Sequence, residues 1–150
     1  MTAHAVAQTG EVFRMQTTKT ETKGQLWAGR ILTGIAILFF LFDAISKLLK
    51  PAAVVEATVA LGYKETAIVP IGVALLVCTL LYAIPRTSVL GAVLLTGYLG
   101  GAVASNVRAE TPLFNLVFPI LFAVIAWGGV WLRNSRLREL IPLVEDRREN

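Results

Sequence analysis

Ile31-Leu32-Thr33-Gly34-Ile35-Ala36-Ile37-Leu38-Phe39-Phe40-Leu41-Phe42 is a run in which Thr33 is the sole polar side chain. It extends back to Leu26 and forward to Leu49, with Asp43, Lys47 and Lys50 at its far end and Pro51 stopping it. A hydrocarbon core of about 30 Å needs roughly 20 residues at about 1.5 Å of rise each. The segment 26–49 is therefore long enough to span a membrane, and Asp43 falls about one turn inside the far interface. Trp27 marks the near interface, and Arg30 is placed to snorkel back toward it.

Three further segments repeat this pattern. The second span reads as 67–84, ended by Pro85-Arg86, with Pro70 in its first turn where proline costs little. The third reads as 88–107 and the fourth as 113–132. Pro119 in the fourth frees a backbone carbonyl that neighbouring helices or Ser/Thr groups must satisfy, which predicts a kink. Trp127 and Trp131 are expected to form the closing aromatic belt. Residues 51–66, PAAVVEATVALGYKET, are too short and too polar to span. Pro51 suits a first helical turn, Val55 and Val59 share a face, and Gly62 fits a C-terminal cap. A short interfacial helix over the bundle is expected there, with Tyr63 at headgroup level. The fold class is thus all-α: a polytopic membrane protein, a four-transmembrane-helix bundle with a short interfacial helix between helices one and two. Residues 1–25 are polar, lack the apolar run of a signal peptide and read as a disordered tail, within which Met15 competes with Met1 as the start. The transmembrane domain is assigned to 26–142 and a charged tail to 143–150, with Leu140-Ile141-Pro142-Leu143 expected to rest on the membrane surface.

Composition agrees. Apolar residues make up 55% and charged residues 16% of the chain, with a mean hydropathy of +0.67, against about 45–50% and 25% for soluble domains. The net charge of +4 and pI near 9.6 do not point to nucleic acid, because the basic residues flank apolar spans and no basic face carries base-stacking aromatics. They are explained by topology and anionic headgroups. Arg14, Lys19, Lys23, Arg86, Arg133, Arg136, Arg138, Arg147 and Arg148 fall on one side, and Lys47, Lys50, Lys64 and Arg108 on the other. With Arg30 set aside inside a span, this bias puts both termini in the cytoplasm. The single cysteine, Cys78, cannot form an internal disulfide or a CxxC pair, and the single histidine, His4, has no partners for a haem or zinc site. No metal or cofactor is predicted. Cys78, among Leu75, Leu76, Val77 and Leu80, reads as a small apolar residue rather than a nucleophile, and Tyr82 and Tyr98 as packing groups whose hydroxyls find local partners.

Two constellations stand out. Gly97 and Gly101 form a GxxxG pair that Ser105 extends, with Gly100 and Ala104 as a second small-xxx-small pair beside it. Small faces let helix backbones approach closely in lipid. An intramolecular packing seam is the first reading and a homodimer seam the second. The other is polar: Asp43 and Lys47 are spaced to pair along one helix, and Asn106, Arg108, Glu110 and Asn115 come to a similar depth. An ionisable residue inside a span is a functional-site hypothesis by default. Either Asp43 neutralises Lys47 or Arg108 and locks helix one to helix three, or Asp43, Lys47, Asn106, Arg108 and Asn115 line a pocket for a headgroup, quinone or small solute.

The chain resembles the DoxX-like family of small four-helix membrane proteins. The resemblance rests on Gly29-Arg30-Ile31-Leu32-Thr33-Gly34, Phe42-Asp43-Ala44-Ile45-Ser46-Lys47, Leu61-Gly62-Tyr63, Ile84-Pro85-Arg86-Thr87 and Trp131-Leu132-Arg133 with Arg136-Leu137-Arg138. Its most specific part is Leu95-Thr96-Gly97-Tyr98-Leu99-Gly100-Gly101-Ala102-Val103-Ala104-Ser105-Asn106-Val107-Arg108. It implies a bundle in the bacterial inner membrane. The family name derives from a membrane component of a thiosulfate–quinone oxidoreductase, and some relatives are linked to thiol redox and oxidative stress. With one cysteine and no membrane histidine, such a role here is accessory. Three functions follow as expectations: first a non-catalytic membrane subunit or scaffold for a partner protein, then a quinone-linked oxidoreductase component, and last a small-solute transporter. The expected partners are the lipid bilayer, a membrane or peripheral protein, and a second copy of the chain.

Overall fold

The computed structural model describes residues 23–140. The expectations about the tail before residue 23, the competing start at Met15, the segment 141–143 and the charged tail 143–150 lie outside the described residues. The elements are α1 (Lys23–Leu49), α2 (Ala52–Ala60), a 3-10 turn (Glu65–Ala67), α3 (Ile68–Ala83), α4 (Ser88–Arg108), α5 (Leu113–Arg133) and α6 (Ser135–Leu140). Four helices are long and apolar enough to cross a membrane: α1, the turn with α3, α4, and α5. Among the described residues the first already includes Lys23, Gly24 and Gln25, so the helix continues beyond the apolar part that starts at Leu26.

The spans form a ring in which α1 packs on α3 and α5, and α4 also packs on α3 and α5. Consecutive spans run antiparallel, so α1 and α4 are diagonal. The start of α1, the α3–α4 turn and the end of α5 share one end, called here the terminal end. The α2 connection and the α4–α5 turn share the other, the loop end. Along α1 the buried residues are Gly29, Thr33, Ala36, Phe40 and Ala44, an i, i+3/i+4 stripe facing the bundle. Leu75 and Tyr82 of α3, Leu95 and Leu99 of α4, and Ala126 and Val130 of α5 complete the core. Outside that stripe the helices are apolar and uncovered: Leu38 and Phe42 are 71% and 72% exposed. Backbone groups paired inside helices and apolar side chains outside are what a lipid environment demands.

Glycines set the closest crossings. A methyl group at Gly29 would stand 2.8 Å from the Arg133 side chain and 3.2 Å from the Gly129 carbonyl. One at Gly129 would stand 2.6 Å from Thr33 Oγ1 and 3.0 Å from the Tyr82 hydroxyl. Tyr82 donates to the Ala126 carbonyl at 2.9 Å, joining α3 to α5, while Phe39 and Phe122 stack with centroids 3.7 Å apart between α1 and α5. Trp127 donates its indole N–H to Thr96 Oγ1 at 2.8 Å. That tie to α4 occupies the polar edge that an aromatic belt would offer to headgroups; Trp131, at the last turn, is the exposed member of the pair. Helix α5 runs through Pro119 without a break. The carbonyl released four residues earlier is that of Asn115, in the exposed first turn, so no neighbouring helix is needed to satisfy it.

The connection between α1 and α3 contains α2, which covers the loop end as a short helix. Its C-terminus closes as expected at Gly62, whose φ of 85° is left-handed. Gly62 N–H reaches the Val59 carbonyl at 2.8 Å and Tyr63 N–H the Thr58 carbonyl at 3.3 Å, the paired bonds of a Schellman cap. Helix α4 ends identically, with Glu110 N–H to Val107 and Thr111 N–H to Asn106, both 3.1 Å, yet Glu110 takes the left-handed position at φ 51°. Only glycine occupies that region without a Cβ penalty. Glu110→Gly is expected to raise stability by up to about 1 kcal/mol, read as a higher unfolding midpoint in detergent, whereas the same change at Glu56 inside α2 lowers it.

Candidate functional site at the loop end

The polar residues of the loop end come from four elements. Asp43 and Lys47 stand one turn apart near the end of α1 and form an ion pair, with side chains 34% and 17% exposed. The i, i+4 spacing with the acid first favours this pairing. Lys50, just beyond α1, donates to Glu65 Oε1 at 2.6 Å, fastening the end of the first span to the start of the second. Gly72 of α3 lies against the Lys47 stem, where a methyl would meet Lys47 Cβ at 2.8 Å.

A second group straps the α2 connection to α4. The Tyr63 hydroxyl and Ser105 Oγ are 2.5 Å apart, and Ser105 also donates to the Gly101 carbonyl at 2.8 Å. Arg108 donates to the Leu61 carbonyl at 2.8 Å and places its guanidinium 5.7 Å from the Tyr63 ring centroid. Here hydrogen bonding and cation–π contact act together. Tyr63 was assigned by sequence to the headgroup level alone; its contacts with Ser105 and Arg108 depend on residues more than forty positions away and have no local signature.

The expected site residues therefore share an end of the bundle without forming one cluster. The ion pairs among the described residues are Asp43–Lys47 and Lys50–Glu65. The expected alternative, Asp43 neutralising Arg108 to lock the first span to the third, is not formed, because those helices are diagonal and Arg108 is taken up by the α2 connection. Asn106 turns to its own surroundings, donating to the Ala102 carbonyl at 2.9 Å and accepting from Thr111 Oγ1 at 2.8 Å. Asn115 is exposed at the first turn of α5. Nearer the middle of the bundle, the Tyr98 hydroxyl lies within electrostatic range of Asp43, Cys78 and Tyr63 and makes no hydrogen bond among the described residues. Sequence reading placed Tyr98 with the packing groups; its proximity to Asp43 depends on how α4 is rotated against its neighbours.

The small-residue face of α4 lies elsewhere than expected. Gly97, Gly100, Gly101 and Ala104 are exposed, and a Cβ at any of the three glycines would meet nothing within 4 Å. Of the five residues expected to pack, only Ser105 is buried. The intramolecular seam is not made along this face, because α4 turns its larger residues, Leu95 and Leu99, to the core and Gly97, Gly100 and Gly101 outward. Among the described residues, no group of three or more His, Cys, Asp and Glu side chains is arranged to hold a metal ion.

No curated protein and no solved structure matches the chain. The model of the DoxX-like family matches residues 31–129, from the first apolar run through the close-packed Gly129 of α5. That stretch takes in the second and third spans whole, most of the first and fourth, the Asp43–Lys47 pair and the Tyr63–Ser105–Arg108 strap, and the chain belongs to the DoxX-like family.

Proposed function

We propose that this DoxX-like membrane protein is a non-catalytic subunit or scaffold of the bacterial inner membrane, with both termini cytoplasmic, and that it holds a partner's transmembrane helix against the outer face of α4. The observation that carries this reading is the outward row Gly97, Gly100, Gly101 and Ala104, with no atom of another helix among the described residues within 4 Å of a Cβ at its glycines. Helices in lipid gain association energy from close backbone approach at such faces, not from hydrophobicity. The Lys and Arg asymmetry supports the orientation. Because the glycines of this face meet no other helix among the described residues, substitutions there spare the bundle. Extraction in mild detergent is expected to recover the wild-type protein with a stoichiometric membrane partner, and Gly97→Ile with Gly101→Ile to weaken that association about tenfold or more with an unchanged unfolding midpoint. Clean isolation of the wild-type chain alone, under conditions that preserve other membrane complexes, rejects the reading.

A quinone-linked role is the second reading, supported by the Tyr98 hydroxyl, which makes no hydrogen bond among the described residues and lies within electrostatic range of Asp43. Unchanged quinone binding in an Asp43→Asn, Tyr98→Phe variant removes it.

A further inference from the structure

The terminal end holds a second polar constellation, which neither role uses. A pocket of about 270 Å³ lies between the first turns of α1, the α3–α4 turn and the end of α5. Arg30, Arg133, Ser88 and Asn134 supply its polar lining, and Leu26 and Val130 its apolar wall. Arg133 gives Nε to the Gly129 carbonyl at 3.1 Å, which fixes its guanidinium at the pocket. Neither arginine belongs to an ion pair among the described residues. Asp43, Glu56, Glu65 and Glu110, the acidic residues whose side chains are described, stand at the opposite end of the bundle or beyond it. Two guanidiniums on different helices, brought to one concavity with no described carboxylate between them, repel each other unless an anion joins them. Ser88 also opens α4, so that helix's positive end faces the same place.

We infer that this pocket binds a phosphate group. Guanidiniums recognise phosphate oxygens through paired N–H donors, and the Asn134 amide, whose Oδ1 already accepts from Leu137 N–H at 3.3 Å, turns donors of the same kind to the pocket. The volume is below the roughly 300–1,000 Å³ of most small-molecule sites, which suits one phosphate with part of its ester rather than a large ligand. Leu26 and Val130 give an ester carbon chain an apolar surface to leave along. The phosphate belongs to an anionic lipid headgroup or to a soluble phosphate, and both present the same atoms to the same donors.

The test uses the full chain in a neutral detergent, with the unfolding midpoint measured against added phosphatidylglycerol, phosphatidylethanolamine or inorganic phosphate. Phosphatidylglycerol is expected to raise the midpoint and to remain bound in native mass spectrometry, more than phosphatidylethanolamine. Arg30→Gln is the clean variant, because Arg30 is exposed and holds no part of the core. It is expected to weaken retention about tenfold, and Arg30→Gln with Arg133→Gln to abolish it. Arg86→Gln with Arg136→Gln, which removes two charges near the same end but outside the pocket, is expected to leave retention unchanged. Stabilisation by inorganic phosphate alone identifies a soluble phosphate at the same site and supports the inference. Stabilisation by neither probe, or equal loss in the pocket variants and the charge-matched pair, overturns it.

Discussion

Gly91→Ala is expected to remove most of the monodisperse protein from detergent extracts and to lower the unfolding midpoint of what remains. An added methyl at Gly91 collides with the backbone N and Cα of Tyr82 and the carbonyl carbon of Leu81. Backbone cannot rotate away as a side chain would. The turn between the helices is short and fully committed: Thr87 N–H reaches the Ile84 carbonyl at 3.0 Å, Thr87 Oγ1 donates to the Leu81 carbonyl at 2.7 Å, and Gly91 N–H reaches the Thr87 carbonyl at 2.8 Å. Relief therefore requires α3 and α4 to splay, which carries Tyr82 away from the Ala126 carbonyl and opens the core at its largest fully buried side chain. Overpacking a core costs about 1–3 kcal/mol when side chains can move, and this site sits at or above the top of that range. Gly97→Ala is the control, since a Cβ there meets nothing and alanine favours the helix by about 0.5–1 kcal/mol. Equal behaviour of the two variants rejects the argument.

The contrast between those two glycines marks where sequence reading stops. Span number follows from length and hydropathy, which are local, and all four spans stand within a few residues of where the apolar runs place them. The Asp43–Lys47 pair is legible for the same reason, because its partners are one turn apart on one helix. The contacts of Arg108 and Tyr63 are not, since they depend on the order of helices around the ring. A GxxxG spacing announces a face but not the direction it looks. On α4 the face looks outward, while the close crossings are made by Gly29, Gly72, Gly91 and Gly129. Polar residues at one depth look like one site in a linear reading, yet Asn106 is claimed by a carbonyl one turn back and Arg108 by the Leu61 carbonyl of the α2 connection before they can join Asp43.

Lys47→Leu is expected to destabilise the bundle by about 1–3 kcal/mol, and Asp43→Asn added to it to restore most of the loss. The pair lies near the end of the first span with both side chains partly buried. Removing the ammonium leaves a carboxylate in that setting with no counter-charge, and a lone charge within a span costs up to roughly 3 kcal/mol at the centre of the membrane and less toward its edge. Leucine keeps the β-carbon that packs against Gly72, so the substitution reports charge rather than lost volume. Neutralising Asp43 as well removes the stranded carboxylate, and residues in direct contact show coupling of about 0.5–3 kcal/mol in such cycles. The four proteins of the cycle, reconstituted in lipid nanodiscs and unfolded thermally, give the coupling directly. If the double variant falls as far as the sum of the two single ones, the pair is not coupled and its role in holding α1 is refuted. A stable double variant has a further use. It keeps the fold while deleting the carboxylate near Tyr98, so any quinone binding lost in it is lost through the site and not through unfolding.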